Sequence, residues 1–393
     1  MSNSQDLKAF IQSHRNDDVN ALALKLTTGA DTAFILRQVE GWQRLSHKVP
    51  SWSEIEDLHY PVRLSLEQCS SEATARYKQT IAERLCPSGK SFADLTGGFG
   101  VDFAFLARRF KHATYVEQNA ELCSLFHHNA PLLNLPPTDI VESQADTFLK
   151  TMPLVDLLFL DPARRNEAGK KVAALADCSP DVTALWDTLL TKARFVMLKL
   201  SPMLDITAML RQLNHVKEVH VVGLQGECKE LLCVATKETP AKDEPIIYCS
   251  DSSFAFHFCR EEEKRATPVF AQSIGTYLYD PATSVLKAGA FHLLCQRHGV
   301  EKLSPGTHLY TSDKLVKDFP GRTFRIVSST GCSKQDIRPL RGLQANLAVR
   351  NFPAKAEELR AKWHIKDGGN TYLFACQDLQ GKKMLICAER CSF

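Results

Sequence analysis

The sequence predicts an α/β protein whose core is a mostly parallel β-sheet. Between residues 91 and 236, short apolar segments of strand length alternate regularly with amphipathic segments of helical period. A glycine-rich turn, residues 94–100, joins the first of these strands directly to the helix that follows it. Strand–helix–strand repetition of this kind produces a parallel sheet that helices cover on both faces.

The predicted strands and helices follow one another in a regular order. We predict strands at 91–95, 113–117, 138–143, 154–160, 194–200, 217–223 and 230–236, and helices at 101–110, 119–129, 146–150, 180–192 and 204–213. Only Leu224 to Lys229 separate the last two strands. Because this connection is too short for a parallel crossover, we predict that these two strands pair antiparallel.

Regions of different pattern flank this core, which we place at residues 75–236. Apolar residues at helical spacing predict a helical N-terminal region, residues 1–74, at whose end Ser70 or Ser71 caps a helix leading into the first strand. The polar segment Lys237–Glu244 is predicted to be a linker. We predict a connecting domain at 237–320 and a small α+β domain at 321–393, with the order strand–helix–strand–strand.

Composition narrows the class of protein. A chain of 393 residues with 44% hydrophobic and 24% charged residues is typical of a globular protein with a large core. Its 13 cysteines form no Cys-x-x-Cys pair, which indicates reduced thiols and not a zinc ribbon. The histidines are mostly isolated, so no metal site is expected. Since the sequence shows neither a secretory signal pattern nor an apolar run of roughly 20 residues, we expect a cytoplasmic protein without a membrane segment.

Charge is unevenly distributed along the chain. Residues 321–393 contain 13 lysines and arginines against 6 acids, a net charge of +7, so the rest of the chain carries −4. A basic tail on a mildly acidic body favours a polyanionic partner, although a solvated basic surface is the alternative. The residues that would follow a phosphate backbone are Arg338, Arg341, Arg350, Lys355, Arg360 and Lys362.

The glycine-rich turn reads Asp94-Leu-Thr-Gly-Gly-Phe-Gly100. Its spacing does not fit the dinucleotide fingerprint, because Phe103 stands where the third glycine is required, and a dehydrogenase is therefore disfavoured. An acid followed by glycines at this spacing resembles motif I of the class I S-adenosylmethionine (SAM) methyltransferases. In that class the glycines let the backbone approach SAM where a Cβ would intrude. The resemblance implies a Rossmann-like sheet of seven strands with an antiparallel closing pair, and SAM as cofactor.

Residues at the strand ends are predicted to hold this cofactor. We expect Asp94 to hold the methionine end of SAM, directly or through water. Glu117 lies 17 residues after Gly100 at the end of the second strand, where a carboxylate can accept hydrogen bonds from two ribose hydroxyls. Asp146 follows the third strand, where methyltransferases usually bind the adenine amino group, and helix capping is its alternative role. The segment Gln68–Ser71 is expected to close over the cofactor. The complete predicted set is Gln68, Ser70, Asp94, Thr96, Gly98, Gly100, Glu117, Gln118 and Asp146.

The fourth strand ends in Asp161-Pro162-Ala163-Arg164-Arg165, the position of motif IV. In methyltransferases that act on an exocyclic amine, the residue at the place of Asp161 and the following carbonyl accept the amine hydrogens and aim the nitrogen at the methyl group. We predict Asp161, Pro162 and Arg164 as catalytic residues. The usual aromatic residue that stacks a flipped base is missing. Arg164 and Arg165 are suited to bind a phosphate or a base edge. Alternatively, they are a surface arginine pair that forms a salt bridge with the aspartate.

Further motifs resemble one bacterial group of class I methyltransferases that has a helical N-terminal region, a small ferredoxin-like domain and a C-terminal THUMP-like domain. The resemblance covers nearly the whole chain, and THUMP domains bind structured RNA, so it implies RNA methylation. The matching stretches are Glu67–Lys78, the DLTGGFGVD box, DPARR, GECKELL at 226–232, YDPATSVLKAGA from Tyr279, LYTSD at 309–313, FPGR at 319–322, VRNFPAKAEELRAK and KDGGNTYLF.

The sequence therefore predicts a SAM-dependent methyltransferase that transfers a methyl group in line to a base nitrogen of tRNA or rRNA. A covalent cysteine mechanism is not expected, because Cys178 lies 17 residues beyond Asp161 and no cysteine ends the fourth or fifth strand. Two alternatives stay open: a methyltransferase for a protein or small molecule, and a catalytically silent protein that binds SAM and RNA. The oligomeric state is not predicted.

Overall fold

A computed structural model describes residues 4–26, 30–164, 175–251 and 254–391 of the chain. The chain divides into two compact units. Unit 1 comprises Met1–Lys217 with Cys233–Asp243, and unit 2 comprises Glu218–Leu232 with Glu244–Phe393.

Unit 1 begins with the predicted helical region, which is confirmed. Leu22, Ile35 and Val39 are buried together, so the apolar stripes seen in the sequence pack against one another. Ser71, and not Ser70, caps the last of these helices, its Oγ accepting a hydrogen bond from the Thr74 amide. The helices are α1 Ser4–Ser13, α2 Val19–Lys25, α3 Ala30–Lys48, α4 Pro50–Ser53, α5 Arg63–Gln68 and α6 Glu72–Leu85.

Strands and helices then alternate as predicted, and neighbouring strands pair in parallel in the order β7-β4-β1-β2-β3. The elements are β1 Ser91–Asp94, α7 Val101–Ala107, β2 His112–Glu117, α8 Ala120–Asn129, β3 Thr138–Glu142, α9 Ala145–Thr151, β4 Val155–Leu160, β5 Ala163–Arg164, β6 Cys178–Ser179, α10 Val182–Lys192, β7 Ala193–Leu200 and α11 Ile206–Gln212. The short antiparallel pair β5–β6 was not predicted; it lies within the long connection after β4.

Helices on both faces of this sheet explain the composition of its central strands. Side chains alternate between the two faces of a strand, yet consecutive residues such as Leu157 and Leu158 in β4 are both fully buried. The same holds for Val196, Met197 and Leu198 in β7. Near-continuous apolar runs are required when neither face meets water. The carboxyl ends of the strands therefore provide the edge at which polar residues can be placed.

Unit 2 contains the predicted closing pair of strands, which are neighbours in the sheet order β11-β10-β8-β9. The segments IIYCS and FAFHF form an antiparallel hairpin, and its first strand, β10, pairs in parallel with β8. The elements are β8 Val216–Leu224, β9 Glu227–Ala235, β10 Ile246–Asp251, β11 Phe254–Phe258 and α12 Arg260–Arg265. The first two residues of β8 and the last three residues of β9 belong to unit 1.

A second sheet of unit 2 has the strand order β13-β14-β12-β15-β18-β17-β16. The predicted strand–helix–strand–strand order is present: β16 and β17 are parallel across α16, and β17 and β18 form an antiparallel hairpin. The elements are β12 Tyr277–Pro281, α13 Thr283–Ala288, α14 Leu293–His298, β13 Glu301–Lys302, β14 Tyr310–Ser312, β15 Gly321–Thr330, α15 Lys334–Ile337, β16 Gln344–Val349, α16 Ala356–Trp363, β17 Lys366–Gln377 and β18 Lys383–Arg390.

Candidate functional site

The candidate site lies at the carboxyl edge of the unit 1 sheet. Asp94 ends β1, Glu117 ends β2 and Asp161 directly follows β4. Parallel register places these ends side by side, since Asp94 pairs with Tyr115 of β2 and with Phe159 of β4. Ligands of open parallel sheets bind at this edge.

The glycine-rich turn, residues 94–100, has a conformation that glycine allows. Gly98 and Gly100 have positive φ angles of 55° and 89°, and Gly100 is the N-cap of α7. A Cβ on Gly100 would lie 2.4 Å from the Phe126 ring, whereas a Cβ on Gly98 would meet nothing nearer than Thr96 O at 3.7 Å. Gly100 is therefore required by internal packing, while the space above Gly98 is open. An open backbone of this kind fits the close approach of a nucleoside.

Glu117 fixes the turn and the start of α8 at the same time. Its Oε2 accepts a hydrogen bond from the Gly98 amide at 2.9 Å, and its Oε1 accepts one from the Asn119 amide at 2.9 Å. Asn119 caps α8, its Oδ1 accepting from the amides of Glu121 and Leu122. Each carboxylate oxygen keeps a second lone pair, so Glu117 can still accept from a diol.

Thr96 joins the motif I and motif IV aspartates. The Thr96 amide and hydroxyl donate to Asp94 Oδ1 at 2.8 and 3.2 Å, and the Asp161 amide donates to Thr96 Oγ1 at 2.7 Å. Asp94 is almost completely buried. Burial raises the pKa of Asp94 well above its ordinary value, outweighing the opposing hydrogen bonds from Thr96, and nearby Asp102 and Asp161 contribute in the same direction as burial.

Lys199 connects Asp161 to a second, more deeply placed aspartate. Its Nζ donates to Asp161 Oδ2 at 2.5 Å and lies 3.6 Å from Asp102 Oδ2. Lys199 is the penultimate residue of β7, and its side chain is 13% exposed, against 39% for Asp161. An ion pair in this geometry has one partner held in the protein and the other presented to solvent.

Asp102 lies between two lysines and a serine. Lys78 Nζ approaches its Oδ1 at 3.2 Å, and the Ser70 hydroxyl donates to its Oδ2 at 2.6 Å. Although burial opposes ionisation, Lys78, Lys199 and the hydrogen bond from Ser70 together outweigh it and hold the pKa of Asp102 below its ordinary value. The carboxylate charge is thus compensated inside the protein.

The remaining predicted residues differ in exposure and in secondary structure. Gln68 ends α5 and Gln118 follows Glu117, and both are exposed. Asp146 lies in the first turn of α9 and accepts from the Thr147 amide; Gln144 is the N-cap, so capping is not the role of Asp146. Pro162 is buried. For Arg164 the structure describes the backbone, in β5, and Arg165 lies outside the described residues.

Sequence reasoning missed three charged residues of the site. Asp102 closes the DLTGGFGVD box and Lys78 ends the Glu67–Lys78 stretch, both of which indicated the family without indicating a role. Lys199 interrupts the apolar run of β7, where a buried charge without a partner would be costly. A lysine near the carboxyl end of a central strand was the available signal for it.

In unit 2, three of the family motifs meet at one buried carboxylate. Asp280 is 1% exposed; its Oδ1 accepts from Arg350 Nε and Nη2 at 3.1 and 2.9 Å, and its Oδ2 from Arg322 Nη2 at 2.6 Å. The stretches YDPATS, FPGR and VRNF are thereby explained by one ion-pair cluster. Arg350, expected along a phosphate backbone, is committed to this cluster, and Arg360 pairs with Asp367 at 3.2 Å. Arg338, Arg341, Lys355 and Lys362 are exposed.

The described residues contain neither a metal-ligand cluster nor a membrane-spanning helix. Within ranges 4–26, 30–164, 175–251 and 254–391, no group of three or more His, Cys, Asp or Glu side chains is placed to hold a metal ion. In the same part of the chain, no helix combines the length and apolarity needed to cross a bilayer.

Comparisons with known proteins agree with this architecture. Residues 277–320 match a family model described as a ferredoxin-like domain, and residues 321–390 match one described as THUMP domain-like. A protein of Porphyromonas gingivalis W83, assigned as a methyltransferase, is 34% identical, and its crystal structure superposes with a TM-score of 0.88 over 98% of each chain. An uncharacterized SAM-dependent methyltransferase of Mycobacterium tuberculosis, found in strains H37Rv and CDC 1551, is 22% identical over 306 residues, which are 77% of this chain and 80% of the relative.

A parallel sheet with a glycine turn after β1 and acids on successive strand ends is the architecture of a class I SAM-dependent methyltransferase. Its cofactor is SAM, as the sequence predicted. The chain belongs to the methyltransferase family of the P. gingivalis protein, and its own C-terminal residues carry the ferredoxin-like and THUMP-like domains. The predicted fold class is confirmed, whereas the boundaries of the four domains stay a prediction.

Proposed function

We propose that this methyltransferase acts on structured RNA, tRNA or rRNA, and transfers the methyl group in line to a base nitrogen. The observation that carries the proposal is the position of Asp161. Thr96 of the glycine-rich turn binds its amide, and its carboxylate is partly exposed. A hydrogen-bond acceptor is thereby held next to the cofactor turn, where it can orient an amine.

The cofactor would lie over the open backbone of Gly98. We assign Glu117 to the ribose hydroxyls and Asp146 to the adenine amino group, and Asp94 to the methionine end. When bound, SAM would supply a methyl carbon whose bond to sulfur breaks as its bond to the acceptor nitrogen forms; the electron pair would stay on sulfur, and the nitrogen would release a proton to water. The full proposed binding set is Gln68, Ser70, Asp94, Thr96, Gly98, Gly100, Glu117, Gln118 and Asp146.

The acceptor side uses the chain that follows β4. Asp161 and the carbonyl of Pro162 would accept the two amine hydrogens, which points the nitrogen lone pair at the methyl group. Arg164 would bind a neighbouring phosphate or base edge. Cys178 is buried in β6, which supports direct transfer over a thiolate intermediate.

The C-terminal part of unit 2 supports RNA as the partner. The THUMP-like match covers residues 321–390, and this part of the chain carries the excess of positive charge. Arg338, Arg341, Lys355 and Lys362 are exposed and available to phosphates. Because tRNA and rRNA are the proposed substrates, we place the reaction in the cytoplasm.

Labelled methyl transfer tests the proposal. RNA from a strain lacking this protein is incubated with the purified protein and methyl-labelled SAM, digested, and separated by nucleoside mass spectrometry. We expect one labelled N-methylated nucleoside, absent when D161A replaces the wild type. Label that survives nuclease treatment would instead favour a protein or small-molecule substrate. SAM binding without label in any fraction would favour the silent binding protein.

A further inference from the structure

We infer that Lys199 is a positioning residue that orients Asp161 toward the methyl acceptor. The inference rests on the proposed function and adds to it a residue that the motif comparison did not indicate. It is carried by the contacts of Lys199 with two carboxylates of unequal exposure.

The first contact fixes one half of the Asp161 side chain. Lys199 Nζ donates to Asp161 Oδ2 at 2.5 Å, and the Asp161 amide is held by Thr96. A carboxylate bound through its backbone and one oxygen has few rotamers left, so its second oxygen has a defined direction. That oxygen, Oδ1, is not the one to which Lys199 donates, and we assign it to the amine; the Asp161 side chain as a whole is 39% exposed.

The second contact holds Lys199 itself. A lysine side chain has several rotatable bonds and positions a partner poorly unless it is anchored. Here the Nζ also lies 3.6 Å from Asp102 Oδ2, and Asp102 is in turn held by Lys78 and Ser70. Two lysines and two aspartates give a cluster without net charge. The lysine charges therefore keep Asp161 compensated when a substrate excludes water.

Position in the fold agrees with this role. β4 and β7 are adjacent and parallel, with Leu160 opposite Leu198, so the residues that follow, Asp161 and Lys199, emerge at the same level of the edge. Lys199 is only 13% exposed and lies behind Asp161. It acts through Asp161, and we assign it no proton transfer.

The test compares K199M, K199R and the matched control K90M, whose exposed lysine precedes β1 at the opposite edge of the sheet. All are full-length proteins assayed for SAM affinity by calorimetry and for label transferred to total extract, before and after nuclease. We expect K199M to lower kcat about 100-fold, the effect of misplacing a reacting group by roughly 1 Å, with the SAM Kd within about threefold of wild type. K199R should recover part of the loss, and K90M should match wild type.

A second measurement needs no substrate. Thermal unfolding of the protein without SAM is followed for K199M, D161N and the double variant. If Lys199 acts on Asp161, the effect of K199M on Tm differs between the wild-type and D161N backgrounds, because the contact is already altered in the latter. Additive effects on Tm would overturn the inference.

Failure of this inference differs from failure of the proposed function. Undiminished kcat in K199M overturns the positioning role whichever fraction carries the label. A loss of SAM binding by K199M equal to its loss of turnover would also overturn it, since Lys199 would then support the cofactor site. If the wild-type protein labels protein and not RNA, the RNA proposal is wrong. The ratio of the K199M kcat to the wild-type kcat, measured in the protein fraction, still tests the role of Lys199.

Discussion

The Ser70 hydroxyl donates a 2.6 Å hydrogen bond to Asp102, a residue 32 positions further along the chain. The contact joins the segment before α6 to the helix that follows the glycine-rich turn. Ser70 thus touches the charged cluster behind the turn, whereas Gln68, two residues earlier, is exposed. A segment anchored at one end and exposed at the other suits the predicted closure over the cofactor.

Removing this hydrogen bond is expected to destabilise the protein. S70A leaves Asp102 Oδ2 without its hydroxyl donor, and hydrogen bonds to charged groups contribute about 1.5–3 kcal/mol. Chemical denaturation should show a loss in this range, and calorimetry a several-fold weaker SAM affinity. S88A, an exposed serine of the same unit, is the control. Unchanged stability of S70A would show that water replaces the hydroxyl.

The motif I and motif IV aspartates should separate binding from turnover. We expect D94A to abolish SAM binding in calorimetry, because Asp94 both holds the Thr96 amide and faces the proposed methionine end. D161A should bind SAM normally and lose turnover. Full activity of D161A would mean that motif IV has been misplaced.

SAM binding is expected to depend on pH through Asp94. Burial raises the pKa of Asp94 in the free protein, and the cationic methionine end of SAM would favour its carboxylate form. The complex then binds fewer protons than the free protein, so binding releases a proton and the Kd falls as pH rises through this raised pKa. Calorimetry in buffers of different ionisation enthalpy measures the release, and D94N should remove it. Equal proton release by D94N and wild type would exclude Asp94 as the source.

The two glycines with positive φ should respond differently to alanine. G100A adds a Cβ 2.4 Å from Phe126, which is itself stacked on Tyr115, and should cost at least about 2 kcal/mol of unfolding free energy. In G98A the Cβ enters open space, so the backbone cost is about 1 kcal/mol, but SAM affinity should fall tenfold or more. A G98A variant that binds SAM like wild type would refute the placement of the cofactor.

The buried carboxylate of unit 2 should be structural. D280A leaves Arg322 and Arg350 without their partner and should destabilise the protein by about 3 kcal/mol in denaturant unfolding. D318A, whose side chain is 86% exposed, serves as the control. A D280A variant as stable as D318A would contradict a structural role for this ion-pair cluster.

By contrast, R338A and R341A should each lower the salt dependence of RNA binding by about one unit of slope without changing stability.

The sequence predicted the unit 1 fold closely because its elements depend on local pattern. Period-two and period-3.6 apolar spacing placed β1 to β4 and α7 to α11 within a few residues, and strand ends followed from turn residues. The pair β5–β6 escaped prediction, since each strand has two residues and no period can be read from so few. Ser70 and Ser71 are neighbours and either serine could cap the helix, so the sequence did not decide between them.

The site residues that could be predicted are likewise those that depend on local sequence pattern. Asp94, Gly98, Gly100, Glu117 and Asp161 could be predicted, because each stands at a fixed place relative to a strand end. Their assignment to parts of SAM remains a proposal. Lys78 and Lys199 could not, since they lie 121 residues apart on a helix and a strand and meet only at Asp102. Arg350 was assigned to RNA from its charge, and its partner Asp280, 70 positions earlier, became evident only in the fold.

The sequence by itself determined the order of strands and helices, the glycine-rich turn and the acids at the strand ends, because backbone sterics and apolar periodicity act over a few residues. Only the tertiary structure decided which charges neutralise one another. A buried ion must find its partner wherever the chain brings one close, and the Coulomb interaction depends on distance in space, which the sequence does not specify.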